Sequence, residues 1–480
     1  MKKKIKVFVS GVFNVLHPGH LRLLRFAREY GTELFVGVLS DKLANNSAHV
    51  NEDLRLEGIK TNGWVSKAII VKDSLKKEIL KYKPDIIVKG KEHETSFNEE
   101  AAVIKTLGGS LLFSSGEATF SSIDLINKEF KSSGYQQIHL SESYLKRHKI
   151  LKKKLLSTVS DLNKIKVCVI GDLIIDEYIS CNALGMSQEE PTLVVTPIDS
   201  KKFVGGAGIV AAHVAGCGAN VKLISIVGKD ELATYANQNL KMMGVESFFF
   251  EDERRPTTLK QRYRSGGKSL LRISKLHQDP ISSALENKIF TKIKKILEKS
   301  NLLIFSDFNY GCLTDSLIEK ITKLCKKNNI FIAADSQSSS QIGDISKFKD
   351  VDLMTPTERE ARICTHNHSQ ALHILANNLQ KKSNVRNLII KLGGEGIFIR
   401  PEKKYKKNSL KEDKIEAMNL SAKDTAGAGD SLLAVTSISL ATGASIWESS
   451  FLGSLAAAIQ VGTVGNKVIK KKDLIRELEK

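Results

Sequence analysis

The chain has 480 residues, too many for one ordinary domain. Its 41% hydrophobic and 26% charged content suits a soluble globular protein with a core large enough to need no disulfides. The six cysteines (Cys168, Cys181, Cys217, Cys312, Cys325, Cys364) are scattered without a CxxC pair, which argues against a zinc site or a disulfide framework. A net charge of +20 raises nucleic-acid binding. The lysines, however, fall in short clusters (Lys2–Lys4, Lys152–Lys154, Lys470–Lys472) without interleaved aromatics. A solvated, lysine-rich surface is expected instead, and a protein handling phosphates tolerates such a field.

The start, "MKKKIKVFVSGVFNVL", has the basic head and apolar body of a signal peptide. Lys6 interrupts the apolar run and no small-residue cleavage site follows, so a buried strand is expected. No stretch is long and apolar enough to span a bilayer. The expectation is a cytoplasmic protein without membrane or nucleic-acid partners.

Residues 5 to about 126 alternate strand-like and helix-like segments. "KVFVSGVF" reads as a strand, "GHLRLLRFAREYG" as an amphipathic helix, and "ELFVGVLSD", "KAIIVKD", "DIIVKG" and "SLLFSSG" as further strands. Such alternation implies a parallel sheet with helices on both faces. Between strand and helix lies "HPGH", with His17 and His20 flanking Pro18-Gly19. A helix N-terminus is a ready phosphate site, and two imidazoles beside it add directed donors. No serine or cysteine nucleophile accompanies them. The chemistry that fits is charge stabilisation of a phosphorus centre attacked by another phosphate.

From 131 to 163 the composition turns polar and basic. A partly helical linker is expected, with Leu145, Ile150, Leu155 and Leu156 as a stripe and Ser141 as a cap. A second α/β region starts at "IKVCVIGDLIID" and carries its own strands, "NVKLISIVG", "NLLIFSDF", "IFIAADS" and "NLIIKLGGEGIFI". Segments near 178–204 and 248–276 read as β ribbons forming a small covering sheet. They could pair across a dimer.

The second constellation is "KDTAGAGDSLLAV" (Lys423–Val435). Gly427 and Gly429 let backbone amides turn toward a phosphate, and Asp430 follows at a helix N-terminus. A carboxylate beside a phosphate site is electrostatically costly unless it takes a proton from an attacking hydroxyl. Two lookalikes fail. "RSGGKSLL" lacks the P-loop glycine, because position 262 is Arg262, and no GxGxxG opens a helix after a strand.

The first region resembles the cytidylyltransferase-like nucleotidyltransferases. Beside "GVFNVLHPGHLRLL", the likeness takes in Ser40–Lys42, Glu52–Arg55, "DIIVKG" and "TFSSIDLI". It implies a nucleotide held through Gly11, Phe13, Lys89, Ser121 and Ser122, with His17 and His20 stabilising its α-phosphate. "LANNSAHVNE" departs from the basic pattern usual before the arginine helix. The second region resembles the ribokinase (PfkB) sugar kinases, on "GDLIIDEY", "VGGAGIVAAHVAGCGANVKLISIVGKD", "FSDFNYG", "DLMTPTEREA", "IIKLGGEGIF" and the glycine loop. This implies Asp430 as catalytic base, and ATP at Lys391, Gly393, Thr425, Gly427, Ala428 and Gly429. It further implies sugar hydroxyls at Asp172, Asp176, Gly205 and Gly206, and magnesium influenced by Glu360. Within that family the pattern is similar to the heptose-phosphate kinase half of the bifunctional ADP-heptose-forming enzymes, in swapped domain order. Departures are Ile209 and His213 for asparagines, Gln337 for a lysine and Thr357 for an asparagine.

The expected fold is α/β with two doubly wound parallel-sheet domains: a Rossmann-like nucleotidyltransferase over 1–130, and a ribokinase-like kinase with a β lid over 164–480. The expected activity is phosphorylation of a sugar or sugar phosphate with ATP and Mg2+. Nucleotidyl transfer to the sugar-1-phosphate follows, with ATP or CTP as donor. Other sugars, or a basic regulatory protein with degenerate domains, are the alternatives.

Overall fold

The computed structural model describes residues 5–14, 16, 18–44, 47–90, 99–114, 138–265, 268–337, 343–366, 370–402 and 411–480, apart from the side chains of 18, 19, 99 and 114. His17, Ser121, Ser122 and residues 131–137 lie outside them. Two compact units divide the chain: residues 1–135 with 367–378 and 412–414, and the remainder.

The first unit alternates β1 (Lys6–Gly11), α1 (Pro18–Glu29), β2 (Glu33–Leu39), α2 (Asp41–Ala44), α3 (Glu52–Lys60), β3 (Lys67–Val71), α4 (Leu75–Tyr82), β4 (Ile86–Gly90), α5 (Glu99–Thr106) and β5 (Ser110–Ser114). The sheet order is β3-β2-β1-β4-β5, and each pairing is parallel. Val7, Phe8 and Val9 are all buried because β1 is central and covered on both faces. Helix α1 starts at Pro18, whose missing N–H would be unpaired there anyway. It buries Leu23, Leu24 and Ala27 along one stripe. Successive strands run outward in opposite directions from β1 and β4. The crevice at their carboxyl ends is therefore the switch point where doubly wound sheets bind ligands. Gly11 ends β1 there, and Lys89 sits at the end of β4.

The second unit begins, among the described residues, with α6 (Glu142–Arg147) and α7 (Lys152–Asp161). The basic stretch thus carries a buried stripe: Tyr144, Leu145, Leu155 and Val159 join the unit's main core, with Ile150 and Leu156 packed against it. Ser141 stands at the N-cap of α6, but its side chain makes no cap hydrogen bond.

The unit's large sheet uses β6 (Lys166–Gly171), β9 (Asn220–Val227), β10 (Glu246–Glu251), β13 (Leu302–Asp307), β14 (Phe331–Ser336), β15 (Leu353–Met354), β16 (Asn387–Lys391), β17 (Ile397–Arg400) and β18 (Asp413–Ile415). Their order is β10-β9-β6-β13-β14-β15-β16-β17-β18. Pairings are parallel from β10 to β16 and antiparallel between β16 and β17. The sequence-expected ribbons form a separate sheet of β7 (Leu173–Met186), β8 (Leu193–Gly206), β11 (Thr258–Ser265) and β12 (Lys268–Lys275), ordered β12-β11-β7-β8. Helices of this unit include α8 (Ala207–Gly216), α9 (Glu231–Met242), α10 (Ser283–Leu297), α11 (Asp315–Lys327), α12 (Glu358–Thr365), the end of α13 (Leu372–Ser383, whose residues 372–378 belong to the first unit), α14 (Ala428–Ala441), α15 (Ile446–Val461) and α16 (Lys471–Glu479). Helices α14 and α15 are apolar nearly all round, as buried helices must be.

Tyr144 is fully buried, donates its hydroxyl to the Trp447 carbonyl at 3.0 Å and stacks near Phe451. Tyr144→Ala should cost this unit about 3–5 kcal/mol, the usual result of emptying a large aromatic site. Denaturant unfolding followed by Trp447 fluorescence in a Trp64→Phe background checks it.

Candidate active sites

In the first unit, the turn after β1 brings Gly11, Phe13 and His20 together. Phe13 adopts a left-handed backbone (φ 55°) and is buried. Such strain in a non-glycine residue persists only where the surroundings enforce it. Its ring lies against Gly11, where a Cβ would come within 3.0 Å of it. His20 sits in the first turn of α1 with its ring edge-on to Phe13, centroids 5.0 Å apart. The positive end of α1 and an imidazole thus share one corner.

Two sequence-expected residues are otherwise engaged. Lys89 forms an ion pair with Glu100 at 2.8 Å, both side chains largely buried, so its charge is neutralised within the fold. Arg55 is buried and donates to the carbonyls of Val12, Leu39 and Val50 at 2.6–2.8 Å and to Asp41. It clamps the loops bordering the crevice.

In the second unit, a cavity of about 640 Å3 brings Asp176, Gly206, Glu360, Lys391 and Gly393 together with the loop from Thr425 to Asp430. Helix α14 is preceded at its N-cap by Gly427, a left-handed residue (φ 75°) where glycine is needed. Gly427, Ala428 and Gly429 line the cavity, and the free amides that begin a helix suit an anion corner there. Asp424 holds this loop. Its carboxylate accepts from the N–H groups of Ala426 and Gly465, each at 3.1 Å, and from the Tyr178 hydroxyl at 2.9 Å.

Asp430 lies in the first turn of α14 and is only 6% exposed. Burial, reinforced by the neighbouring Asp335 charge, pushes its carboxyl up to about 7. Gln337 donates to its Oδ1 at 3.0 Å. Lys391 binds Asp335 through both carboxylate oxygens, at 3.0 and 2.8 Å. Burial still raises Asp335 to about 6 against that attraction. Gly429 lies close to Lys391: a Cβ there would come within 3.2 Å of its Nζ.

Asp176 faces the other side of the cavity. Asn466 donates to its Oδ2 at 3.1 Å and Arg262 lies 3.7 Å away; burial still raises its carboxyl above the usual range. A Cβ at Gly205 would run into the same oxygen, so Gly205 shapes the site from outside the cavity lining. Asp172 falls outside that lining as well. Its carboxylate accepts backbone N–H bonds from Phe308 at 2.7 Å and Tyr310 at 3.3 Å, tying down the loop after β13.

Ile209 and His213, which replace asparagines of the resembled pattern, are core residues on α8. Ile209 is fully buried among apolar side chains. His213 accepts from the Ile469 N–H at 3.1 Å, and burial holds its imidazole down at about 3, hence neutral. Thr357 caps α12, and Glu360 closes the capping box by accepting from the Thr357 N–H at 2.7 Å. Among the described residues no three His, Cys, Asp or Glu side chains converge as a metal cage. Glu360, buried beside Lys391, supplies the hard oxygen suited to a dication held mainly through nucleotide phosphates.

Sequence reasoning missed Asp335, Lys260, Arg262 and Asn466. Lys260, Arg262 and Arg264 alternate along β11, a period-2 basic face that "LKQRYRS" displays in the sequence. Nothing local marks Asp335 or Asn466.

The pfkB family carbohydrate kinase profile matches residues 164–471, well over half of the chain. The chain belongs to this family. Residues 8–114 match the cytidylyltransferase-like family. The chain is similar to the Bifunctional protein HldE of Helicobacter hepaticus, 29% identical over 318 residues, covering 65% of this chain and 63% of that protein. It is likewise similar to the Bifunctional protein HldE of Geobacter metallireducens, 28% identical over 331 residues, covering 68% and 65%. It thus spans less than two thirds of the length of these relatives. Phosphofructokinase-2 of Escherichia coli shares the fold at a TM-score of 0.54 and 15% identity, over 66% of this chain and 99% of that one. Ribokinase of Thermotoga maritima does so at 0.52 and 20%, over 66% and 100%.

Lys391→Ala should destabilise this pfkB unit by about 3–5 kcal/mol at neutral pH, because it leaves buried Asp335 unpaired. The folded value of Asp335, about 6, lies above the unfolded carboxylate value. The folded state therefore binds the extra proton, and stability from this group falls as pH rises through that window. The deficit of the variant should shrink toward about pH 5 and be full at about pH 8, read by denaturant unfolding at each pH.

Proposed function

We propose that the chain is a bifunctional enzyme. The kinase part, over 164–480, phosphorylates a sugar or sugar phosphate with ATP. The nucleotidyltransferase part, over 1–130, converts the resulting sugar-1-phosphate to a nucleotide-sugar of the ADP-heptose type, with 131–163 joining them. The similarity to two proteins named HldE supports this pairing of modules.

The observation that carries the kinase reading is Asp430, buried at the N-terminus of α14 in the cavity that also holds Lys391 and Asp176. An acceptor hydroxyl gives its proton to Asp430, and its oxygen bonds to the γ-phosphorus as the bond to the β-phosphate oxygen breaks. The Gly427–Gly429 amides and Lys391 hold developing negative charge. Asp176 accepts from acceptor hydroxyls, and Lys260 and Arg262 suit the phosphate of a phosphorylated sugar. Glu360 would hold a magnesium ion together with the nucleotide phosphates, and the ion would supply charge neutralisation of the transferred group.

In the nucleotidyltransferase part, an oxygen of the sugar-1-phosphate attacks the α-phosphorus and pyrophosphate leaves. His20, with His17, stabilises the charge on that phosphate beside Gly11 and Phe13. Lys89 and the serines Ser121 and Ser122 are further nucleotide-binding candidates by resemblance. ATP is the favoured donor and CTP the alternative.

No helix among the described residues is long and apolar enough to cross a membrane. The lid sheet exposes Leu184, Met186, Leu193, Ile198 and Leu271, which supports a homodimer formed through the lid.

Asp430→Asn should abolish phosphorylation and leave nucleotidyl transfer, while His20→Ala should do the reverse. Mass spectrometry of products formed from ATP, CTP and a panel of sugar phosphates reads both, and exclusive CDP-product formation would sink the ADP assignment. Because the base works ionised and sits at about 7, the kinase rate should rise with pH through neutrality.

A further inference from the structure

Phosphoryl transfer asks two things of the Asp430 carboxylate: one oxygen must meet the acceptor hydroxyl, and the other must be kept from turning away. Gln337 meets the second demand. Its Nε2 lies 3.0 Å from Asp430 Oδ1, and it is the one side chain among the described residues that hydrogen-bonds this carboxylate. The two residues are 93 positions apart.

Gln337 is itself firmly seated. It follows directly on β14, its N–H donates to the Asp307 carbonyl at 2.8 Å, and its carbonyl accepts from Asn309 Nδ2 at 3.2 Å. With the main chain tied on both sides, the short reach of the side chain is spent on Asp430.

Other charged groups face Asp430 from four neighbouring strands: Asp335 on β14, Lys391 on β16, Asp176 on β7 and Lys260 on β11. Lys391 is committed to Asp335 through both carboxylate oxygens. Orientation of the base is therefore left to a neutral amide.

We propose, resting on the kinase reading above, that Gln337 is the positioning residue of the base, holding Oδ1 so that Oδ2 faces the acceptor hydroxyl. An amide N–H donates to a carboxylate and equally to the carbonyl oxygen of the protonated acid. Gln337 thus keeps its grip on Asp430 before and after the proton moves, and adds no charge. A lysine here, the residue usual in the resembled pattern, would favour the ionised carboxylate alone.

The test is steady-state kinase kinetics across pH on the full chain, for wild type, Gln337→Met, Gln337→Ala and Gln337→Lys. Gln337→Met keeps the side-chain length and removes the amide. Met and Ala should lower kcat about tenfold to a hundredfold, as misplacement of a catalytic group does, with KM for ATP within about twofold. Gln337→Lys should recover much of kcat and move the acid limb of the pH profile to lower pH by about one unit or more. Unchanged far-ultraviolet circular dichroism and an unaltered nucleotidyl-transfer rate show that the variants are folded. An active wild type matched by Met and Ala, or a lysine profile that overlays the wild type, overturns this assignment alone. A wild type that phosphorylates no sugar overturns it together with the kinase reading.

Discussion

The buried ion pair between Lys391 and Asp335 is the interaction around which the kinase cavity is arranged. Four carboxylates, those of Asp176, Asp335, Glu360 and Asp430, are each less than 8% exposed, and Lys391 lies among the last three. In so dry a setting carboxylates would take up protons or push the fold apart unless a cation stood with them. Lys391 comes from the end of β16 and Asp335 from the end of β14. Their contact therefore requires the parallel sheet to be in register first. Gly429 lies beside the same ammonium, so the glycine loop and the pair border one cavity.

That loop illustrates how a phosphate corner is built in layers. Glycine at 427 permits the left-handed turn, but permission is not placement. Asp424 accepts two backbone N–H groups and the Tyr178 hydroxyl, which fastens the loop to the lid strand β7. Asn466 spans from Asp176 Oδ2 to the Val204 carbonyl and links the acceptor side to β8. An acid whose proton affinity is raised by burial, next to amides aimed at an anion, suits transfer of a phosphoryl group from a nucleotide to a hydroxyl. The same raised affinity makes the site sensitive to anything that changes its access to water.

The readable part of this site was local. Gly427, Gly429 and Asp430 stand within a few residues of one another, and so, separately, do His17 and His20, so local spacing alone suggests a phosphate corner in each unit. Residues with distant partners make contacts that their neighbours in sequence do not show. Asp172 resembles a hydroxyl-binding acid from its neighbours in sequence, and in the fold its carboxylate also accepts from the loop after β13. Lys89 resembles a nucleotide contact, and in the fold it also pairs with Glu100. Ile209 reads as a lost sugar contact, and helix periodicity turns it into the core. A carboxylate, an ammonium or an apolar side chain has several uses, and only the partner across space selects one.

The sequence by itself determined the α/β alternation, the central apolar strands, the ribbon-like sheet and the placement of two glycine-containing turns before helices. These follow from short-range rules: hydrophobic period, backbone freedom at glycine and the free amides that begin a helix. Only the tertiary structure decided that Lys391 pairs with Asp335, that Gln337 reaches Asp430 and that Asn466 meets Asp176. Each of these contacts joins strands or loops 56 to 290 residues apart, and no local pattern records which side chains the sheet will bring within hydrogen-bonding distance.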